Sequence, residues 1–239
     1  MTTLNPLNIS ARLLSEVVWK KLLESSANRL IQRRQSFFEL MASLESLRRD
    51  AAYDTGSITT GAAWALYSLA HYFAPRRMLE IGTFIGKSTL ALAQGADDAG
   101  TGVDLHTCDM SNTLELPRVT KCNVRQYAGF SSTAMLTELA GGGRNEGSFQ
   151  LLYVDGRLQL DDFPLLQRLC APDVIVALDD FEGIEKGVAN LFNFQNQRLA
   201  PSSVLIHPCT DELLRQFGFA DHSTVALLIP QSLLRFTAQ

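Results

Sequence analysis

The pattern of apolar and polar positions changes character once along the chain, at Pro75. Before it, apolar residues recur at helical spacing. Phe37, Leu40, Met41, Leu44, Leu47 and Ala51 follow steps of three and four, which places them along one side of a helix. Leu13, Leu14, Val17, Val18 and Leu22 form a second stripe. The segment up to about residue 50 is therefore expected to be helical, with its stripes packed on the domain body or on a partner subunit. A third helix is predicted from about Thr60 to Phe73, stopping before Pro75.

Beyond Pro75, short apolar runs at 78–81, 103–108, 123–127, 149–154 and 174–178 alternate with segments of helical length such as 88–94 and 131–140. Strand–helix alternation of this kind predicts an α/β fold, a mostly parallel sheet with helices on both faces. Runs at 204–207 and 224–229 read as two further strands, close enough in sequence for antiparallel pairing. The glycine-rich stretch 141–147 reads as a surface loop, and no internal repeat interrupts the pattern.

Composition narrows the class. With 239 residues, 46% hydrophobic and 19% charged, the chain suits one α/β domain with an appendage and not a disordered protein. The longest apolar stretch, 61–73, is too short to span a bilayer, and the first residues lack a basic segment followed by an apolar core. Four scattered cysteines without a CxxC pair point to reduced thiols and a cytoplasmic protein rather than to zinc or a disulfide framework. The net charge of −4 is uneven: residues 1–50 carry +3 and the remainder −7. An acidic body argues against nucleic acid as a partner. The pairs Arg33-Arg34 and Arg48-Arg49 read as solvated helix faces or as an anion contact.

In an open sheet of this type, ligands bind beyond the carboxyl ends of the strands. The positions to inspect are 82–88, Asp109, 129–131, Asp155-Gly156, Asp179-Asp180 and His207. Three of these ends carry aspartate, and unpaired buried charge is too costly to be explained by packing. Glu80-Ile81-Gly82-Thr83-Phe84-Ile85-Gly86-Lys87-Ser88-Thr89 has the form of a strand, a glycine turn and a helix start, where free backbone N–H groups face a ligand. It is neither a dinucleotide fingerprint nor a phosphate loop, because Gly82 and Gly86 lie four apart with no glycine between. Asp109, at the end of the next strand, can accept both hydroxyls of a ribose or cap the turn that follows.

Taken together, Glu80-Ile81-Gly82-Thr83-Phe84-x-Gly86-x-Ser88-Thr89, then Asp109, Val154-Asp155-Gly156 and Leu178-Asp179-Asp180, resemble class I S-adenosylmethionine-dependent methyltransferases. Within these the chain is most similar to the small catechol- and caffeoyl-CoA-type O-methyltransferases and their bacterial small-molecule relatives, over about residues 55–230. The resemblance implies a Rossmann-like seven-stranded sheet at 55–239 behind an N-terminal helical cap at 1–54, and the apolar stripes of that cap suit closure of the active site or the surface of a homodimer. It implies S-adenosylmethionine as cofactor, held by Ser57 in the loop Thr55-Gly56-Ser57 and by Glu80, Gly82, Phe84, Gly86, Ser88, Asp109, Phe130, Ser131 and Asp155. It implies Mg²⁺ or another hard divalent cation on Asp155, Asp179 and Asp180, whose carboxylates are hard ligands. Asp180 stands where the family has Asn.

A larger departure concerns the general base. The catechol-type enzymes carry a lysine three residues after the first metal aspartate, and here that position is Leu158. Arg157 cannot take a proton usefully. Asp155 and His207 are the remaining candidates for catalytic groups, His207 equally readable as a structural histidine. The implied activity is methyl transfer to a hydroxyl of a small molecule, natural-product intermediates included. N-methylation, metal-free O-methylation, and a non-catalytic cofactor-binding or scaffold role stay open.

Overall fold

The computed structural model describes residues 11–51, 56–110, 115–118, 120–182 and 186–234. Helix α1 (Ala11–Ser25), helix α2 (Ala27–Ser46) and a 3-10 turn (Leu47–Asp50) account for the periodic segment that precedes the sheet. Helix α3 (Thr60–Phe73) starts where the Thr59 hydroxyl accepts the Ala62 N–H at 3.0 Å, an N-cap that satisfies one open backbone donor. It stops as Ala74 turns left-handed ahead of Pro75.

The sheet comprises β1 (Arg77–Ile81), β2 (Asp104–Asp109), β3 (Asn123–Ala128), β4 (Phe149–Val154), β5 (Cys170–Leu178), β6 (Ser203–Ile206) and β7 (Ala226–Pro230), in the order β3-β2-β1-β4-β5-β7-β6. Strands β3 to β5 pair in parallel, and β7 runs antiparallel to both of its neighbours, β5 and β6. This is the expected seven-stranded, mostly parallel arrangement. Helices α4 (Lys87–Asp98), α5 (Ser132–Gly141), α6 (Asp162–Leu169), α7 (Lys186–Asn196) and α8 (Asp211–Gln216) make the connections. The pairing of β4 with β5 breaks between Phe149 and Leu151, where Pro172 and Asp173 bow out to solvent.

Side chains alternate across the sheet and define a core on each face. Met78, Leu105, Leu151, Tyr153 and Ile175 pack with α1 to α4. Leu79, Ile81, Leu152, Val154 and Val176 pack with α5, α6 and α7. The first core runs without a break into the N-terminal helices through Trp19, Phe37 and Met41.

The two sequence stripes are buried unequally. Phe37, Met41 and Leu44 are buried as the spacing predicts. On α1, Val18 and Leu22 are buried, but Leu13 and Val17 are exposed, and the covered face is instead Ser15, Val18, Trp19, Leu22 and Leu23. Trp19, the largest side chain there, sets the rotation of the helix, and its indole N–H donates to the His207 carbonyl at 2.8 Å. Three of the four paired arginines are tied into the fold, and Arg49 is exposed. Arg33 pairs with Asp98 at 2.6 Å, Arg34 donates to the Phe217 and Gly218 carbonyls across the rings of Phe38 and Phe219, and Arg48 pairs with Glu45.

Helices α3 and α4 pack closely in the first core. A Cβ at Gly95 would collide with the Tyr67 carbonyl oxygen, so only glycine lets the two backbones meet. Gly95→Ala is expected to cost about 1–3 kcal/mol in urea unfolding, the usual penalty of overpacking. Gly102→Ala, where a Cβ meets open space, should stay within about 0.5 kcal/mol of the parent.

Candidate functional site

Each central strand extends its hydrogen-bond ladder one residue past its end. Gly82 N donates to Cys108 O at 3.0 Å, Asp155 N to Ile81 O at 2.8 Å, Asp179 N to Val154 O at 2.9 Å and Gly129 N to Asp109 O at 2.8 Å. These bonds hold the residues that leave the strands in one row along the carboxyl edge of the sheet. Gly82 takes a φ of +106° there, and a Cβ on it would press on the Asp155 backbone at 3.2 Å.

Above this row opens a cavity of about 540 Å³, lined among others by Gly56, Gly82, Phe84, Asp109, Phe130 and Asp155. The size is that of a small-molecule site. On its floor the Asp109 carboxylate accepts the Phe84 N–H at 2.7 Å, which fixes the turn after β1. Ser131 caps α5 through the Ala134 N–H, and behind it Ser132, Thr133 and the Gln159 N–H all donate to the buried Asp162. The loop after β4 is thereby tied to the loop after β3.

A second cavity of about 200 Å³ adjoins the first. It is polar, with Ser57, Thr59, Asp179, Asp180, Glu182 and His222 on its walls. Gly56, Asp155 and Lys186 line both cavities. At this junction three aspartates converge. Lys186 Nζ lies 3.1 Å from Asp155 Oδ1 and 2.6 Å from Asp180 Oδ2, and donates to the Asp155 carbonyl at 3.2 Å. Asp179 is held differently: Tyr153 O–H, Thr224 O–H and Asp180 N–H all donate to it, at 2.7, 2.6 and 2.9 Å. Asp180 sits in the left-handed region at φ +50°, a conformation that Asp and Asn tolerate better than most residues.

The electrostatics follow from this packing. Burial pushes the Asp155 pKa up, Asp179 adds to the rise, and the Lys186 ammonium opposes both. Burial alone would lower Lys186, but Asp155 and Asp180 outweigh it and keep the lysine protonated. Burial also raises Tyr153 well above its ordinary value, so its hydroxyl stays a donor to Asp179.

The structure brings Gly82, Phe84, Asp109, Phe130, Ser131 and Asp155 onto the larger cavity, and Asp179 and Asp180 onto the smaller. Ser57 lines the smaller cavity, where it accepts from Arg48 at 2.9 Å. Thr55 lies outside the described residues. Ser88 borders a narrow recess beside Ser57 and Lys87 rather than the main cavity. Glu80 and Gly86 line none of the three, and Gly86 instead packs under Leu116. His207 does not line them either. Its backbone N–H donates to the Ser15 hydroxyl at 2.9 Å, and its ring stands edge-on to Phe181. Lys186 and His222, which sequence motifs leave unmarked, stand on the walls. Lys186 is a cation fixed beside Asp155 and Asp180. Among the described residues, no group of three or more His, Cys, Asp or Glu side chains is arranged to hold a metal ion.

Residues 79–181 match the family model of a methyltransferase domain. No curated protein matches the chain. Solved structures of similar fold include cofactor-bound Rv0187 from MTB, at 20% identity and TM-score 0.57, covering 80% of this chain and 89% of that one. The O-methyltransferase TomG from Streptomyces achromogenes, in complex with SAM, is 20% identical at TM-score 0.53, over 80% of this chain and 88% of its own. An O-methyltransferase from Bacillus cereus in complex with SAH is 16% identical at TM-score 0.55, over 89% and 98%. Residues 79–181 thus resemble a methyltransferase domain, and the fold of the chain is the one these solved structures share.

Glu80 gives the site a pH signature. It is fully buried on β1, and Thr89 Oγ1 donates to its Oε2 at 2.5 Å. Burial raises its pKa to about 7, against the opposing hydroxyls of Ser88, Thr107 and Thr89. The folded state therefore binds more protons than the unfolded chain between about pH 4.5 and 7, so stability is lost as pH rises through that window. Glu80→Gln removes the titration. Relative to the parent it should gain up to about 3 kcal/mol between pH 5 and pH 8, read from urea unfolding at both values.

Proposed function

We propose that the protein transfers a methyl group from S-adenosylmethionine to a hydroxyl of a small molecule, with the cofactor in the larger cavity and the acceptor in the smaller. The observation that carries this reading is the shared boundary: Gly56, Asp155 and Lys186 line both spaces, so a donor in one meets an acceptor in the other there. The cofactor supplies an activated methyl on a sulfonium leaving group. The acceptor oxygen displaces the sulfur, leaving S-adenosylhomocysteine, and releases its proton. Asp109 is suited to accept a ribose diol at the end of β2, and Phe130 to cover an adenine face. Asp155, at the boundary and with its pKa raised by burial, is suited to take the acceptor's proton. Lys186 is held protonated and is not the base.

The divalent cation implied by the family resemblance fits this donor set poorly. An ammonium already bridges Asp155 and Asp180, and both Asp179 oxygens already accept hydrogen bonds. N-methylation is the second reading, favoured by the acidic walls Asp179, Asp180 and Glu182, which suit a protonated amine before it loses its proton. A homodimer would cover the exposed Leu13 and Val17 of α1, and the four unpaired cysteines support a reducing, cytoplasmic setting. No helix among the described residues is long and apolar enough to cross a membrane.

Asp109→Ala should weaken S-adenosylhomocysteine binding by about 10- to 100-fold in calorimetry, the loss of hydrogen bonds to a charged acceptor, with circular dichroism unchanged. Equal affinity in parent and variant would refute the cofactor assignment. Labelled S-adenosylmethionine offered with a panel of hydroxylated and amine acceptors then separates O-transfer, N-transfer and a protein that binds without turnover.

A further inference from the structure

Resting on the methyl-transfer reading above, we infer that Lys186 is the resident cation of the acceptor site, filling the place of a divalent ion, so that the protein works without divalent metal. Three observations meet on this residue. Its ammonium has three donors, and three oxygens accept them: Asp155 Oδ1, the Asp155 carbonyl and Asp180 Oδ2, at 3.1, 3.2 and 2.6 Å. The two aspartates come from the ends of different strands, so one side chain closes the gap between β4 and β5 as an ion would. The remaining carboxylate, Asp179, needs no cation, because two hydroxyls and a backbone N–H already satisfy it.

The placement is also built into the backbone. Lys186 is the first residue of α7, not a side chain on a free loop. The next residue is Gly187, where a Cβ would collide with the Asp179 carbonyl oxygen and stand 3.0 Å from the Asp180 carbonyl. The start of α7 thus lies flush against the end of β5, which delivers the lysine to the aspartates. The lysine that the catechol-type pattern carries after the first aspartate is Leu158 here, a buried apolar residue, and the cation arrives from a different helix. Lys186 acts as a positioning residue: it neutralises carboxylates that would otherwise repel one another and an acceptor oxygen losing its proton.

The test is cation binding, read apart from activity. Calorimetric titration of the full-length protein with MnCl2 or MgCl2 is expected to show no saturable site at millimolar concentration. Lys186→Ala exposes the carboxylates and is expected to bind Mn²⁺ about tenfold or more tighter than the parent. Its melting temperature should rise with added Mn²⁺ while that of the parent does not. Lys186→Arg keeps the charge and should behave like the parent, which a merely structural role for the side chain would not require. A saturable Mn²⁺ or Mg²⁺ site in the parent would overturn the inference. So would methyl transfer that stops in chelator and returns with Mg²⁺, or a Lys186→Ala protein as indifferent to metal as the parent. If Lys186→Ala does not accumulate, the titrations of the parent and of Lys186→Arg still decide. S-adenosylhomocysteine binding to the same samples reads the cofactor assignment separately.

Discussion

The hydrogen-bond ladder that runs one residue beyond each central strand is the constraint on which the site depends. β1 lies between β2 and β4, and its last residues are bonded to both: the Ile81 carbonyl takes the Asp155 N–H, and the Gly82 and Thr83 N–H groups share the Cys108 carbonyl. The helix that follows β1, α4, packs on one face of the sheet and the helix that leads into β4, α5, on the other, which opens the crevice at the switch in strand order. Gly82 and Asp155 are thus fixed by backbone bonds before any side chain contributes. The edge at β6 adds nothing to this row. β6 ends at the far edge, with β7 between it and β5, and His207 follows it there, outside the crevice.

Acids on and beside that row are each held by a donor from a second element, although Glu80 Oε1 has no hydrogen-bond partner among the described residues. Glu80 ties β1 to the first turn of α4 through Thr89. Asp109 ties β2 to the turn after β1 through the Phe84 N–H. Asp162 gathers Ser132, Thr133 and the Gln159 N–H and so ties α5 to the loop after β4. Asp179 joins Tyr153 on β4 to Thr224 just before β7. Buried charge is costly when unpaired, and breaking one partner leaves the other stranded. These carboxylates therefore stiffen the walls of the cavities as well as lining them. Asp155 and Asp180 meet an ammonium instead.

Periodicity is a local property, which is why the sequence alone anticipates the layers, the parallel sheet and the helix from Thr60 to Phe73. The strand-end rule likewise finds Gly82, Phe84, Asp109, Phe130, Ser131 and Asp155, because backbone geometry alone carries them to the cavity. It does not find which way a neighbouring side chain turns. Ser88 and Glu80 stand within the same motif, yet their polar groups serve the junction of β1 with α4. On α1 the stripe is misjudged by about a residue, since Trp19 outweighs Leu13 and Val17 in choosing the buried face. Lys186 belongs to no motif: it stands 31 positions from Asp155, and only the approach of α7 across Gly187 brings the two together. His222 reaches the wall by the same kind of long-range folding, its carbonyl held at 2.6 Å by the Thr59 hydroxyl that also caps α3.

The helices before the sheet share in the same logic. Glu45, near the end of α2, pairs with Lys87 at 2.5 Å, and Lys87 is the first residue of α4 beneath the glycine turn. Arg48 links Glu45 to the Ser57 hydroxyl and lies over the Phe84 ring, 5.6 Å from its centre. The loop at 56–59, which walls both cavities, is thus anchored on one side by α2 and on the other by the cap of α3. Burial would raise the Glu45 pKa, but Lys87 and Arg48 outweigh it and hold it below the usual carboxylate value, so this junction stays charged at neutral pH. A ligand that presses on Phe84 in the larger cavity therefore acts on a turn already braced from the N-terminal helices. A shift of α2 reaches the turn after β1 and the wall of the smaller cavity together, through the Glu45–Lys87 pair in one direction and through Arg48 and Ser57 in the other. The N-terminal helices are in this sense part of the wall of the site, coupled to it by charge pairs and by the core they share with the sheet.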